Sequence, residues 1–140
     1  ENEIGEIASL IATKPSVRTN LLVYQRDFAN QKGGAVLDGR DIGTVVCPDA
    51  DVKIFVDARE SVRAQRRFNQ FKEQNFETSY NEVLANLRKR DTQDRIRKIA
   101  PMVPSKDALL LDSSEISVQE SLDIIILRIN TELKKITLNS

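Results

Sequence analysis

The sequence predicts an α/β fold in which helices flank a parallel sheet. Three short apolar runs have the composition of buried strands, and an aspartate follows each of them directly: residues 35–37 before Asp38, residues 52–56 before Asp57, and residues 108–111 before Asp112. Buried parallel strands are near-continuous apolar runs, and open α/β sheets gather ligand-binding groups just beyond their carboxyl ends. Helical patterns fill the segments between the runs, as expected when strands and helices alternate.

The first predicted helix follows Pro15 and leads into the strand at 35–37. Its apolar residues recur at i, i+4, i+7 and i+11 along one side, at Val17, Leu21, Tyr24 and Phe28. We expect Gly33–Gly34 to end this helix in the manner of a left-handed C-cap.

Three further helices are predicted after the second strand. Residues 60–74 form one of them, and it groups three arginines at i, i+3 and i+4, namely Arg63, Arg66 and Arg67. Ser79 and Glu82 have capping-box spacing ahead of a long helix that reaches about Ala100, where Pro101 ends it. The same spacing opens the last helix, whose apolar stripe is Val118, Leu122, Ile125 and Ile129.

Composition excludes several classes of protein. A chain of 140 residues with 40% hydrophobic and 30% charged side chains suits one globular domain. Lys+Arg and Asp+Glu both number 21, so no net charge draws the chain to nucleic acid or to an acidic membrane. With one cysteine, Cys47, and no histidine, the sequence has no intramolecular disulfide, zinc site or histidine triad. No apolar run approaches a membrane span and no signal segment opens the chain, so the expected location is the cytoplasm.

The loop from Asp38 to Thr44 is the first candidate for chemistry. Two glycines enclose an Asp-Arg-Asp cluster at the end of a predicted buried strand, in the order Asp38-Gly39-Arg40-Asp41-Ile42-Gly43-Thr44. A ligand site explains the charges, and so does a tight turn in which the aspartates pair with the arginine.

Arginine is dense between residues 59 and 97. The planar guanidinium binds phosphate oxygens in a bidentate manner, which favours a phosphorylated ligand. An ion-paired surface stripe is the alternative, since Arg90, Asp94 and Arg97 share one predicted helix face. The arginines in this segment are Arg59, Arg63, Arg66, Arg67, Arg88, Arg90, Arg95 and Arg97.

Short sequence motifs that occur along nearly the whole chain together resemble those of one protein family. They include Val17-Arg18, Leu21-Leu22, residues 25–29, 38–46, 48–55 and 63–67, Arg90-Asp91, Asp94, Arg97, Ala100-Pro101, Asp107-Ala108 and Leu111-Asp112. These motifs resemble those of the bacterial cytidylate kinases, which are nucleoside monophosphate kinases of the P-loop kinase type. The resemblance implies transfer of the γ-phosphoryl group of ATP, with Mg²⁺, to CMP or dCMP by a monomeric enzyme.

The resemblance also implies roles for individual residues. Asp41 would accept the amino group of cytosine, while Arg18 and Ser9 would meet its acceptors; Arg90 and Asp94 would hold the sugar, and Arg40 and Arg97 the α-phosphate. Arg63, Arg66 and Arg67 would form a short lid, or else an ion-paired surface helix. Catalysis would depend on charge neutralisation by Arg40, Arg63, Arg67 and Arg97. Asp38 would either orient Arg40 or reach the metal through water, and no residue is predicted to bind a metal directly.

On this interpretation the chain has four segments. Residues 1–30 end the nucleoside monophosphate-binding region with its connecting helix, and residues 31–58 supply core strands and the acceptor-binding loop. Residues 59–79 form the lid-like arginine-rich helix, and residues 80–140 supply a core helix, the last strand and the C-terminal helix.

One departure from the family is an absence. No Gly-x-x-x-x-Gly-Lys-Ser/Thr occurs within the 140 residues. We therefore expect the C-terminal two thirds of a kinase, with three strands, exposed strand edges and apolar faces, and no activity of these residues alone. The alternatives are a nucleotide-binding module without phosphoryl transfer, and an RNA- or protein-binding surface formed by the arginines. Asn75 replaces the more usual glycine after the lid helix, at little cost because asparagine tolerates left-handed backbone.

Overall fold

A computed structural model gives the fold and describes Ile7, Ile11 and residues 14–138. Within this part of the chain, helices and strands are mixed as the α/β prediction requires. In order they are α1 (Pro15–Ala29), a π-helical turn (Ile42–Val46), β1 (Ile54–Asp57), α2 (Glu60–Glu73), α3 (Tyr80–Ile96), β2 (Leu109–Asp112) and α4 (Val118–Leu138). Over the same residues, no helix is both long and apolar enough to span a membrane.

The sheet has two parallel strands in the described residues. Ile54 pairs with Leu109 and Asp57 with Asp112, so both strands end at an aspartate, as predicted. The third predicted strand, at 35–37, is wrong: this segment has no regular secondary structure and no strand pairing, and Val36 is 89% exposed. A strand needs a neighbour for its backbone hydrogen bonds, and β1 and β2 bond to each other instead.

Contacts divide the chain into two compact units. The first unit comprises Glu1–Asp49 with Lys89–Val103, and the second comprises Ala50–Arg88 with Pro104–Ser140. The boundary falls inside α3, after Arg88. The four predicted segments concern roles rather than compactness and remain a prediction.

In the first unit, α1 is fastened to the π-helical turn. Arg26 donates from Nε to the carbonyl of Val46 (2.9 Å) and from Nη2 to that of Val45 (3.1 Å). Val46 is 2% exposed and is the most buried large side chain of the described residues. The C-cap of α1 is Asn30 at φ −89°, whereas Gly33 and Gly34 lie beyond it at φ +103° and +86°. The two glycines thus adopt the predicted left-handed conformation, but the prediction that they cap α1 is wrong.

In the second unit, aromatic residues pack around the end of α2. The Phe71 and Phe76 rings lie 5.2 Å apart, and Phe68 meets Tyr80 edge-on at 6.3 Å. Phe71 is 4% exposed. Asn75 makes the turn between these rings at φ +55°, which confirms that asparagine is accommodated there.

Both predicted capping boxes are confirmed. The Ser79 amide donates to Glu82 Oε2 at 2.8 Å, and the Glu82 amide donates to Ser79 Oγ at 3.3 Å. The same pair of bonds joins Ser117 and Glu120, at 2.7 and 3.1 Å. Each box satisfies amides that lack partners at a helix N-terminus.

The predicted end of α3 is wrong by four residues, because the helix stops at Ile96 rather than near Ala100. The chain turns at once: Ala100 adopts φ +51°, and the Met102 amide donates to the Asp94 carbonyl at 2.8 Å. A left-handed residue cannot continue a right-handed helix.

Large apolar side chains remain exposed in each unit, in agreement with the expected apolar faces. On α1, Leu21, Tyr24 and Phe28 are 50%, 74% and 52% exposed. In the second unit, exposure is comparable on the sheet at Leu110 and on α4 at Val118.

Candidate functional site

Charged side chains of opposite sign alternate in the first unit. Helix α1 supplies Arg18, the loop before the π-helical turn supplies Arg40 and Asp41, and α3 with the residue after it supplies Arg90, Asp94 and Arg97. These six residues are called the charge cluster below.

Asp41 lies between two arginines. Arg18 Nη2 contacts one of its carboxylate oxygens, and Arg97 Nη2 lies 3.6 Å from the other. All three side chains are largely buried, at 12% exposure for Asp41, 18% for Arg18 and 11% for Arg97. A carboxylate this deeply buried requires such partners, since an isolated one would carry a large desolvation penalty.

Asp94 has three arginine neighbours and is more deeply buried. Its Oδ2 accepts from Arg40 Nε at 3.1 Å and lies 4.0 Å from Arg90 Nε. Its Oδ1 lies 3.7 Å from Arg97 Nη1, and the side chain is 5% exposed. Arg40 and Arg90 are themselves 41% and 51% exposed, so their guanidinium groups also face solvent.

Arg97 is held by the turn after α3 and keeps one nitrogen unsatisfied. Its Nε donates to the Ala100 carbonyl. Its Nη2 is buried and makes no hydrogen bond in the described part of the chain, since the Asp41 oxygen nearest to it lies 3.6 Å away. An unbonded buried donor is unfavourable. An oxygen atom of a ligand would satisfy it.

The charge cluster carries excess positive charge. Four guanidinium groups face two carboxylates, which leaves a formal excess of two positive charges. A phosphate monoester carries about −1.5 to −2 near neutral pH. The arrangement can therefore bind such an anion with little residual charge.

The loop shape depends on Gly39 and on the π-helical turn. A Cβ atom at position 39 would lie 3.0 Å from Ile42 Cγ1, so glycine leaves space for that side chain. The Asp41 carbonyl accepts from the amides of Val45 (2.9 Å) and Val46 (3.2 Å). These bonds fix the backbone at Asp41.

The three predicted lid arginines lie on α2 in the second unit and contact protein groups there. Arg63 Nε donates to the Ala58 carbonyl at 2.8 Å. Arg66 donates to the carbonyl of Ser113 at 2.6 Å and to its Oγ at 3.1 Å. Arg67 donates to Gln70 Oε1 at 2.6 Å and lies 4.4 Å from the centre of the Phe71 ring.

Two acidic groups flank β2 with lowered pKa values. Hydrogen bonds from the side chain and backbone of Ser114 hold the pKa of Asp112 below its usual value of 3.8. A hydrogen bond from Lys53 lowers the pKa of Asp107 in the same way. Both carboxylates are therefore ionised well below neutral pH.

The structure brings together six of the predicted site residues, which are Arg18, Arg40, Asp41, Arg90, Asp94 and Arg97. Asp38 is exposed, in the irregular segment that precedes Arg40 and Asp41. Ser9 lies outside the described residues. The lid arginines belong to the other unit, and their role remains a prediction.

The sequence analysis did not single out Ser113 or the Ala58 carbonyl, which bind the lid arginines. The polar run Asp112-Ser113-Ser114 directly after β2 is the signal that points to Ser113. A backbone carbonyl such as that of Ala58 leaves no signal in a sequence.

The described residues contain no group of three or more Asp, Glu or Cys side chains able to hold a metal ion.

Comparison with known proteins gives a consistent result. The family model described as cytidylate kinase matches residues 1–131. A protein named cytidylate kinase from Cereibacter sphaeroides is 49% identical over 86% of this chain and 59% of its own length. Proteins of the same name from Bartonella henselae and Azorhizobium caulinodans are 47% and 52% identical, over 88% and 84% of this chain and 57% of their own lengths. The chain thus spans somewhat more than half the length of these relatives.

Proposed function

Because the chain belongs to the cytidylate kinase family, we propose that the protein carrying it transfers the γ-phosphoryl group of ATP to CMP or dCMP. In this proposal the chain contributes the site for the acceptor nucleotide and the lid. The observation that carries the proposal is the charge cluster, with its two excess positive charges and the unsatisfied Nη2 of Arg97.

Base recognition is assigned to Asp41 and Arg18. Cytosine presents an amino donor beside a ring nitrogen and a carbonyl, both acceptors. A carboxylate next to a guanidinium matches this pattern, and Arg18 contacts Asp41 directly. Uracil has a carbonyl in place of the amino group, so it would face the Asp41 carboxylate with no proton between them. Ser9 completes this part of the proposal as a second donor to the base.

Binding of the sugar and of the phosphate is assigned to the residues of the charge cluster around Asp94. Asp94 would accept hydrogen bonds from ribose hydroxyls, with Arg90 beside it, since Arg90 is half exposed and lies 4.0 Å from Asp94. Arg40 and Arg97 would hold the α-phosphate, where the Nη2 of Arg97, which makes no hydrogen bond in the structure, gains an acceptor. Asp38 either orients Arg40 or contributes to metal binding through water.

Phosphoryl transfer needs aligned reactants and neutralised charge rather than covalent help from the protein. Arg40, Arg63, Arg67 and Arg97 are proposed to provide that charge, and Arg63, Arg66 and Arg67 to cover the phosphates as a lid. In the structure the lid arginines bond to protein groups of α2 and of the strand ends. Closing on a nucleotide would therefore exchange these bonds for bonds to phosphate. Mg²⁺ is proposed only as the companion of ATP.

A nucleotide-binding module without phosphoryl transfer is the second candidate. It is favoured by the charge cluster itself, since four guanidinium groups and two carboxylates can bind a phosphate monoester without a second nucleotide. On this view the charge cluster binds CMP, but no product forms.

The deciding experiment measures ADP release from ATP and Mg²⁺ with CMP, dCMP or UMP as acceptor. The protein carrying the chain should turn over CMP and dCMP and act poorly on UMP. No turnover together with a rise in melting temperature on adding CMP supports the binding module. If the protein shows neither turnover nor a CMP-dependent shift in melting temperature, both candidates are refuted.

A further inference from the structure

We propose that Arg26 is a positioning residue for recognition of the nucleotide base, acting on Asp41 through the backbone of the π-helical turn. The inference rests on the proposed function and extends it to a residue outside the charge cluster. Arg26 lies on α1 and donates to the carbonyls of Val45 and Val46 at 3.1 and 2.9 Å.

The turn that Arg26 holds begins at Asp41. The amides of Val45 and Val46 donate to the Asp41 carbonyl, and their own carbonyls accept from Arg26. The carbonyl of the Val45–Val46 peptide accepts from Arg26 and its amide donates to the Asp41 carbonyl, so a single peptide group separates the guanidinium of Arg26 from the backbone of Asp41. A shift of either valine would move the Asp41 carboxylate.

The same helix holds Asp41 a second time. Arg18, eight residues before Arg26 on α1, contacts the Asp41 carboxylate. Eight residues of α-helix extend about 12 Å. The π-helical turn is thus attached to α1 at both ends of the turn. At its N-terminal end Arg18 pairs with Asp41, and at its C-terminal end Arg26 donates to two backbone carbonyls. This double attachment sets the position of Asp41 relative to Arg18, which is the pair assigned to the base.

The chemistry of this contact suits arginine and no other side chain. The last carbonyls of a helical turn lack intrahelical donors. A planar guanidinium presents several N–H groups in a fixed geometry and can meet two carbonyls at once, whereas an ammonium group acts as a compact point charge. Single π-helical turns are also rare and occur frequently at functional sites.

The test compares three variants of the protein carrying the chain. Arg26→Met keeps the unbranched stem of the side chain as far as Nε but removes the donors, and Arg26→Lys keeps the charge but loses the fork. Arg128→Met is the matched control, because it removes an arginine that pairs with Glu132 on α4, outside the charge cluster and the π-helical turn. The readouts are kcat and KM for CMP and UMP, the dissociation constants of both nucleotides, and amide hydrogen exchange.

We expect Arg26→Met to lower the preference for CMP over UMP by about tenfold, chiefly through KM and the dissociation constant for CMP. Arg26→Lys should fall between the wild type and Arg26→Met, and Arg128→Met should keep the wild-type preference. Amide exchange at Val45 and Val46 should accelerate in Arg26→Met, accelerate less in Arg26→Lys, and stay unchanged in Arg128→Met.

Two results would overturn the inference. One is that Arg26→Met weakens the binding of CMP and the binding of UMP by the same factor, because a purely structural role would affect both nucleotides alike. The other is unchanged exchange at Val45 and Val46. Measurements on the wild-type protein distinguish failure of this inference from failure of the proposed function. A wild type that does not discriminate CMP from UMP contradicts the proposed function. In that case amide exchange at Val45 and Val46 still tests the contact of Arg26 with the turn.

Discussion

At the scale of single residues, Asp41 and Asp94 divide the charge cluster into two parts. Asp41 contacts Arg18 and lies near Arg97, and Asp94 accepts from Arg40 and lies near Arg90 and Arg97. Arg97 is common to both parts. Substitutions around Asp41 should therefore affect contacts with the base, and substitutions around Asp94 should affect contacts with the sugar and the phosphate.

Replacing Asp41 by alanine should reduce discrimination between CMP and UMP. The variant loses the acceptor for the cytosine amino group and also the repulsion of the uracil carbonyl, which together correspond to about 1–3 kcal/mol. The measurement is the ratio of kcat/KM for the two nucleotides. Asp107→Ala is the matched control, because it removes a carboxylate paired with Lys53 in the second unit. An unchanged ratio would refute the base assignment.

Replacing Arg97 by alanine should weaken the binding of CMP, dCMP and UMP by similar factors. A phosphate contact carries no information about the base. Asp94 also loses a neighbour, so a lower melting temperature is expected as well. Isothermal titration with the three nucleotides checks the prediction, and a loss confined to CMP would contradict the phosphate role of Arg97.

The sequence predicted the members of the charge cluster but not how they are held. Arg18, Asp41 and Asp94 carry a family signature in their side chains, and the structure brings them together. The partners of Arg26 and Arg63 are backbone carbonyls, which every residue possesses. Such contacts depend on tertiary geometry and leave no trace in residue identity.

At the scale of secondary-structure elements, the helices were predicted better than the strands. Capping boxes and apolar spacing are local, so the starts of α3 and α4 follow directly from the sequence. A strand requires a partner, and the apolar run at 35–37 has no strand pairing. The end of α3 also escaped prediction, since it depends on the bond from the Met102 amide to the Asp94 carbonyl.

The two capping boxes should make the stability of the protein depend on pH. Hydrogen bonds from Ser79 and Ser117 lower the folded-state pKa of Glu82 and Glu120 below 4.5. A group whose pKa is lowered on folding stabilises the protein above its unfolded pKa, and this stabilisation is lost as the pH falls through the folded pKa.

The check is the melting temperature between pH 7 and pH 3 for the wild type and for a Glu82→Gln, Glu120→Gln double variant. The wild type should be more stable at pH 7, and the difference should shrink below about pH 4.5. Ser79→Ala with Ser117→Ala, which keeps both carboxylates but loses two hydroxyl donors, should give a smaller dependence. A difference that stays constant from pH 7 to pH 3 would contradict the prediction.

At the scale of the whole molecule, a net charge of zero accompanies exposed apolar side chains. Net charge keeps proteins apart in solution, and exposed apolar patches favour association. The 140-residue chain should therefore self-associate at neutral pH, and Tyr24→Glu should reduce this association.

Tyr24 is chosen because it is 74% exposed on α1. Thr19→Glu is the matched control, since it adds the same charge to α1 without removing apolar surface. Sedimentation velocity at several concentrations distinguishes the two variants. An equal effect of both would mean that charge alone governs association, and no concentration dependence in the wild type would refute the prediction.

The parallel pairing of β1 with β2 has a consequence for biosynthesis. Ile54 pairs in register with Leu109, which lies 55 positions later in the chain. A ribosome adds about 5–20 residues per second, so β1 waits roughly 3–11 s for its partner to be synthesised. Throughout that interval the backbone donors and acceptors on the edge of β1 that later pairs with β2 are open to other extended chains. A chaperone that binds nascent chains would protect this molecule most in the period between completion of β1 and emergence of β2.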